Sequence, residues 1–285
     1  MLKKMAALTF FVALAYLAPL KIFGATSELD IPYVPNGGAK QQLDLFLPDG
    51  KGFPTVMFVH GGSLTQGDRK EAPYRQIGEA FQKSGIGCAV ISYRLADKTR
   101  WPAQPEDVAA AFAWLKRNIA SRGGDRSKLF LVGHSSGALL VALVSSDEKY
   151  LKKFGLNLND AAGCVPIGSL LTNWFDFNSM SEEQRRKLFE RSYLNLFGNV
   201  ETFIDHFPAS HVNGRMPPIL ILIAEQEQYQ PPILESAGEF AALSKKAGAQ
   251  VEIEVLKDRN HMNTIYGMVK TDDLTLLRII KFIRK

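Results

Sequence analysis

Cysteine is nearly missing from this chain: 285 residues hold two. That excludes a scaffold built on disulfides. Cys88 and Cys164 each stand in an apolar, strand-like run. Two central strands seldom present cysteines in bridging geometry, so buried free thiols are expected. Histidine is scarce too. His60, His134, His206, His211 and His261 show no ligand spacing with other donors, and no metal site is expected. Lysine and arginine never gather beyond short patches such as Arg185-Arg186-Lys187, which reads as a solvated helix face. No nucleic-acid partner is therefore expected. Internal repeats, low-complexity tracts and interdomain linkers are also lacking.

A long apolar run occurs near the N-terminus. Lys3 and Lys4 precede the uncharged stretch Met5 to Leu20, and the small residues Gly24 and Ala25 follow. This is the pattern of a secretory leader, with release expected near residue 25. The run is short for a full membrane span, which takes about 20 residues, so no stable membrane insertion is expected once the leader is gone. The absence of cysteine nearby argues against a lipid-anchored lipoprotein. Lys3, Lys4 and Lys21, with no acid among residues 1–25, account for three of the net charge of +5, leaving residues 26–285 close to neutral. About 260 residues then remain, the size of one large α/β domain.

Within that domain, Gly133-His134-Ser135-Ser136-Gly137 lies between the apolar runs Leu129-Phe130-Leu131-Val132 and Ala138 to Val144. Strand, sharp turn and helix around G-x-S-x-G form a nucleophile elbow, which presents the Ser135 hydroxyl at the carboxyl end of a sheet. Upstream, His60-Gly61-Gly62-Ser63 ends the strand-like run Thr55 to Val59. Backbone N–H groups aimed at one point stabilise the oxyanion of a tetrahedral intermediate, and glycines let the chain approach a substrate. Donors are expected from Gly62 and Ser63 or the neighbouring Gly61, together with the N–H of Ser136. A plain Gly-Gly turn is the bland alternative.

Downstream, Ile219 to Ala224 reads as a buried strand and runs into Glu225-Gln226-Glu227. Val251 to Leu256 is followed by Lys257-Asp258-Arg259-Asn260-His261. Serine, acid, histidine is the chain order of an α/β-hydrolase. Ser135 needs a base, and His261 titrates in the right range. A carboxylate must hold the imidazole tautomer. Glu227 is the preferred acid. Glu225 sits nearer the strand end and Asp258 is close in sequence to His261, and both remain alternatives. His134, beside the nucleophile, reads as packing or turn support and not as a second base.

Tyr93-Arg94-Leu95-Ala96, Trp101-Pro102-Ala103-Gln104, Glu106-Asp107-Val108, Ala113-Trp114-Leu115, Asn118-Ile119-Ala120 and Gly123-Gly124-Asp125 extend the pattern. From about Leu43 to the C-terminus the chain resembles the secreted bacterial esterases of the bifunctional acetylxylan/feruloyl esterase-like family. These are related to the hormone-sensitive-lipase and kynurenine formamidase branches of the α/β-hydrolases. The resemblance implies ester hydrolysis through an acyl-enzyme, with no metal and no organic cofactor. It implies a small-molecule or carbohydrate ester as partner, such as acetyl or feruloyl groups on plant polysaccharide. An amidase of the formamidase type and a non-catalytic binding protein on the same scaffold are the alternatives. Two departures stand out. Relatives usually carry Gly-Glu-x-Asp where this chain has Ala224-Glu225-Gln226-Glu227. The oxyanion segment often continues with a third glycine and a tryptophan, where Ser63 and Leu64 stand here.

The coarse reading alternates strand and helix, predicting a mostly parallel twisted sheet with helices on both faces, the α/β-hydrolase fold. Strands are expected at 40–47, 55–59, 87–92, 128–132, 163–167, 218–223 and 251–256. Helices are expected at 72–83, 105–122, 138–145, 233–246 and 274–283. The segment from about Leu171 to Val212 breaks the alternation and predicts a small helical cap over the site. Trp174 and Phe175 follow a strand end directly and are the candidate substrate-binding residues. Arg94 and Asp107 are expected to form a structural pair, Asp68 to order the oxyanion loop, and Trp114 to lie in the helix core.

Overall fold

The computed structural model describes residues 24–173, 181, 183–184, 187, 194–227 and 232–285. Eight strands form one sheet: β1 Thr26–Pro32, β2 Gln42–Leu47, β3 Phe53–Val59, β4 Gly87–Ile91, β5 Gly124–His134, β6 Gly163–Ile167, β7 Ile219–Gln226 and β8 Val251–Asn260. Their spatial order is β1-β2-β4-β3-β5-β6-β7-β8. β2 runs antiparallel to both neighbours and every other pairing is parallel. Helices are α1 Ala72–Lys83, α2 Ala103–Asn118, α3 Ser136–Ser146, α4 Glu148–Lys152, α5 Leu194–Phe197, α6 Val200–Asp205, α7 Pro232–Lys246, α8 Asn263–Tyr266 and α9 Leu274–Ile283.

The period-2 pleat of the central strands divides the core into two layers. Met57, Val59, Leu129, Leu131, Ile219 and Ile221 face one side, where they meet apolar residues of α2, α3 and α7. Val56, Phe58, Phe130, Val132, Leu220 and Leu222 face the other, against α1 and α9. Central strands covered on both faces read as continuous apolar runs, which is why they were legible. α3 is buried on all sides from Gly137 to Ser146, in keeping with its almost wholly apolar sequence. Cys88 belongs to one layer and Cys164 to the other. The thiols are free, on opposite sides of the sheet.

Several expected boundaries shift. β1 has no counterpart in the sequence reading: it is a mostly exposed edge strand whose polar residues give no buried-strand signal. The helix expected over 105–122 spans Ala103–Asn118, and a separate 3₁₀ turn covers Ala120–Arg122. β5, β7 and β8 run several residues past their expected limits. Trp114 is half-buried at the margin of its layer, with the Arg122 guanidinium 5.1 Å from its ring centroid. α5, α6 and a 3₁₀ turn at Pro208–His211 fall in the segment expected to form a cap. Trp174 and Phe175 lie outside the described residues, as does all but the end of the N-terminal leader. Among the described residues no helix is long and apolar enough to cross a membrane.

Candidate active site

Ser135 occupies the turn between β5 and α3 with φ 54° and ψ −126°. A non-glycine residue at positive φ is strained and persists only where its surroundings hold it. Here the Ser135 N–H donates to the Ile167 carbonyl at 2.9 Å, and the Ser135 carbonyl accepts from Ala138 at 2.8 Å. The two motif glycines make the turn possible. A Cβ at Gly133 would collide with the Gly137 carbonyl, and one at Gly137 with the Val59 carbonyl.

The loop after β3 packs beside this turn. A Cβ on Gly61 would stand 3.0 Å from that of Ser135. Gly62 turns at φ 117°, and Ser63 and Leu64 follow at 53° and 66°. The family's third glycine would sit at Ser63 without strain, so this chain holds a serine and a leucine in a left-handed conformation there. The loop is tied at several points. The Gly62 carbonyl accepts from Thr65 and Gln66, and Leu64 O accepts from Ala96 N at 2.8 Å. Lys40 Nζ donates to Gly67 O at 2.7 Å and to Asp68 Oδ2 at 2.8 Å. Among the described residues the N–H groups of Gly62 and Ser63 have no acceptor. Beneath the loop, His60 Nδ1 donates to Gly61 O at 2.7 Å, and its ring stacks on Tyr93 at 4.5 Å. Burial pushes the His60 imidazole down to about 4.

β7 and β8 deliver the remaining groups. Nδ1 of His261 lies 2.7 Å from Oε1 of Glu227, whose side chain is 1% exposed. The two alternatives for the acid are elsewhere. Glu225 is exposed and accepts from the Asp258 N–H at 3.0 Å, and Asp258 is exposed at φ 56°. Gly168 follows β6 at φ 61°, and a Cβ there would stand 3.2 Å from Glu227 Oε2 and 3.3 Å from His261 Nδ1. The glycine lets the strand end approach the pair. With Nδ1 beside a carboxylate, Nε2 of His261 is the nitrogen left for a substrate or nucleophile. His134 is tied to the same residue: its Nε2 donates to the His261 carbonyl at 2.9 Å, and the two rings are 4.5 Å apart. Burial, and secondly the neighbouring His261, push His134 down to about 3.

Two cavities share Ser63, Ser135 and His261. One, about 430 Å³, is walled by Leu64, Leu139, Leu170, Phe207 and Ile233, with His206 at its lining. The other, about 330 Å³, is polar and bordered by Gln66, Glu71, Tyr74, His134 and Tyr266. Sequence reasoning placed the pocket residues at Trp174 and Phe175 and gave His206 no role. A histidine among aromatics carries no local signal, and only the fold brings the end of α6 to the cavity that Ser135 lines. Arg94 and Asp107 pair through two side-chain contacts of 2.8 Å away from these cavities. Asp147, Asp205 and His211 come together, buried, exposed and half-buried in that order, which their spacing did not suggest. The Lys149 ammonium already sits 2.7 Å from Asp147 and 2.9 Å from Asp205, balancing that charge.

Esterase LipQ of Mycobacterium tuberculosis is 29% identical over 87% of this chain, and the chain spans 60% of LipQ's length. A truncated carbohydrate esterase from gut microbiota superposes with a TM-score of 0.73 at 18% identity, covering 93% of this chain and 98% of that one. Esterase B from Lactobacillus rhamnosis superposes at 0.71 with 17% identity, covering 91% and 84%. The fold is thus that of the α/β-hydrolase esterases. Residues 43–233, well over half the chain, match the BD-FAE family model, and the chain belongs to that family.

Proposed function

We propose that this protein is a serine carboxylesterase. One observation carries the reading: a buried glutamate within 2.7 Å of His261 Nδ1, on a histidine that shares both cavities with the strained Ser135. In this reading His261 Nε2 takes the Ser135 proton as Oγ attacks an ester carbonyl, and Glu227 holds the tautomer and offsets the imidazolium charge. The N–H groups of Gly62, Ser63 and Ser136, with Gly61 shaping the loop, receive the oxyanion. His261 then protonates the leaving alcohol, and water deacylates the enzyme by the reverse path.

The apolar cavity suits the acyl group and the polar cleft suits a hydroxylated alcohol, because each matches the polarity of its lining. Short acyl groups on a carbohydrate, acetyl or feruloyl esters of plant polysaccharide among them, fit this division. Membership of the BD-FAE family supports it. The leader-like N-terminus supports action in the periplasm or outside the cell. The test is hydrolysis of p-nitrophenyl acetate, butyrate and octanoate by the protein and by Ser135→Ala. Cleavage of the short esters with a dead Ser135→Ala is expected. A folded protein that cleaves none of them would end the esterase reading, and amides would be tried next.

A further inference from the structure

His206 follows α6 and lines both the apolar cavity beside Ser135 and an adjoining cleft of about 320 Å³. It is 5% exposed. Its Nδ1 contacts the Phe203 carbonyl oxygen. A carbonyl can only accept, so Nδ1 carries the proton and Nε2 carries a lone pair. Rings of Phe207, Phe197, Phe203 and Trp101 surround it, with centroids 3.9, 4.5, 5.0 and 5.7 Å away. No partner for Nε2 exists among the described residues, so it is the ring nitrogen left for an occupant of the cavities that His206 lines. Burial holds the imidazole down at about 4, so the ring stays neutral and Nε2 stays an acceptor at neutral pH.

The other polar side chains lining the apolar cavity are Ser63, Ser135, Ser136, Ser169 and His261. His206 comes instead from the end of α6. A lone acceptor in an apolar wall costs binding energy whenever the occupant cannot satisfy it. We infer that His206 is a specificity residue, whose Nε2 accepts a hydrogen bond from a hydroxyl carried by the acyl group in this cavity. The inference rests on the esterase reading and adds the residue that would select, among acyl groups, an aryl or alkyl chain bearing a hydroxyl. The aromatic wall at Phe207 favours an aryl group.

The test uses near-isosteric pairs in which hydroxyl is exchanged for methyl. These are methyl esters of 3-(4-hydroxyphenyl)propanoic and 3-(4-methylphenyl)propanoic acids, and the corresponding meta pair. Relative kcat/KM is measured for the wild type, His206→Phe and His206→Gln, with p-nitrophenyl acetate run on the wild type. Equilibrium binding of the free acids to Ser135→Ala, with and without His206→Phe, repeats the comparison without turnover. The wild type should prefer the hydroxyl member of at least one pair by about tenfold. His206→Phe should bring the ratio to near one, and His206→Gln, which keeps an acceptor, should hold part of it. A wild type that cleaves p-nitrophenyl acetate but shows equal rates within both pairs overturns the inference and leaves the esterase reading standing. If no ester is cleaved, the esterase reading falls. Binding then decides the subsite: hydroxyl preference lost in His206→Phe supports it, and equal binding refutes it.

Discussion

His134 and His261 are joined by a single hydrogen bond, from Nε2 of the first to the backbone carbonyl of the second, at 2.9 Å. The residue preceding Ser135 thus holds the loop that carries His261. His134→Phe keeps a ring beside His261 and loses the donor. Steady-state kinetics on p-nitrophenyl butyrate should show kcat down about tenfold, with KM little changed, because the base is displaced and the pocket is not. Unchanged kcat would show that the loop needs no such support.

Glu227 is the carboxylate that lies beside His261, 2.7 Å from Nδ1, and is the acid in the proposed reading. Glu227→Gln should lower kcat by about 10³- to 10⁴-fold, the cost of losing the tautomer-fixing carboxylate. Glu225→Gln and Asp258→Asn should stay within about threefold, since surface changes away from the reacting groups have small effects. Near-wild-type activity in Glu227→Gln would move the role to one of the others.

Arg69 ties the N-terminal edge of the sheet to the segment after the oxyanion loop. Its side chain is 1% exposed, and its Nε donates to the equally buried Asp44 at 3.0 Å. It also reaches Gln42 Oε1 at 2.8 Å, Ala39 O at 3.0 Å and Asp30. Arg69→Met leaves the Asp44 carboxylate buried without its cation. Urea unfolding should show a loss of about 3–5 kcal/mol. A loss under 1 kcal/mol would mean that solvent reaches Asp44 once the arginine is gone.

Three buried histidines set the acid side of the stability profile. His60, His134 and His206 are held down by burial to about 4, 3 and 4, from an ordinary value of 6.5. Between those values the unfolded chain binds more protons than the folded one, so stability rises with pH. The contribution is complete above about pH 6.5 and is lost progressively as the pH falls towards about 4. Denaturant midpoints measured from pH 8 to 4.5 should therefore fall below pH 6.5. A flat profile across that window would show that these rings protonate in place.

Cys88 and Cys164 face opposite layers of the core, and burial pushes both thiols up, Cys164 to about 12. Thermal unfolding should give the same Tm with and without a reductant, and thiol reagents should label neither cysteine in the native state.

The central strands, the elbow and the base were legible because each leaves a local mark. Buried parallel strands are continuous apolar runs, and the elbow needs glycines two residues either side of its serine. Edge strand β1 left no such mark, since its exposed side chains obey no burial pattern. The loop at Ser63 and Leu64 looked like a departure from the family. The structure shows that it keeps the left-handed backbone without the glycine.

By itself the sequence determined the fold class, the order serine, acid, histidine, and the identities of Ser135 and His261 as candidates. Those follow from periodicity and from residue types that are few in number. Only the tertiary structure separates Glu225, Glu227 and Asp258 by position, with Glu227 alone of the three beside His261, because three carboxylates on neighbouring loops differ in direction, not in chemistry. It also brought His206 to the cavity and tied His134 to the His261 carbonyl. Contacts between residues so far apart in the chain depend on the register and packing of whole elements, which no local pattern encodes.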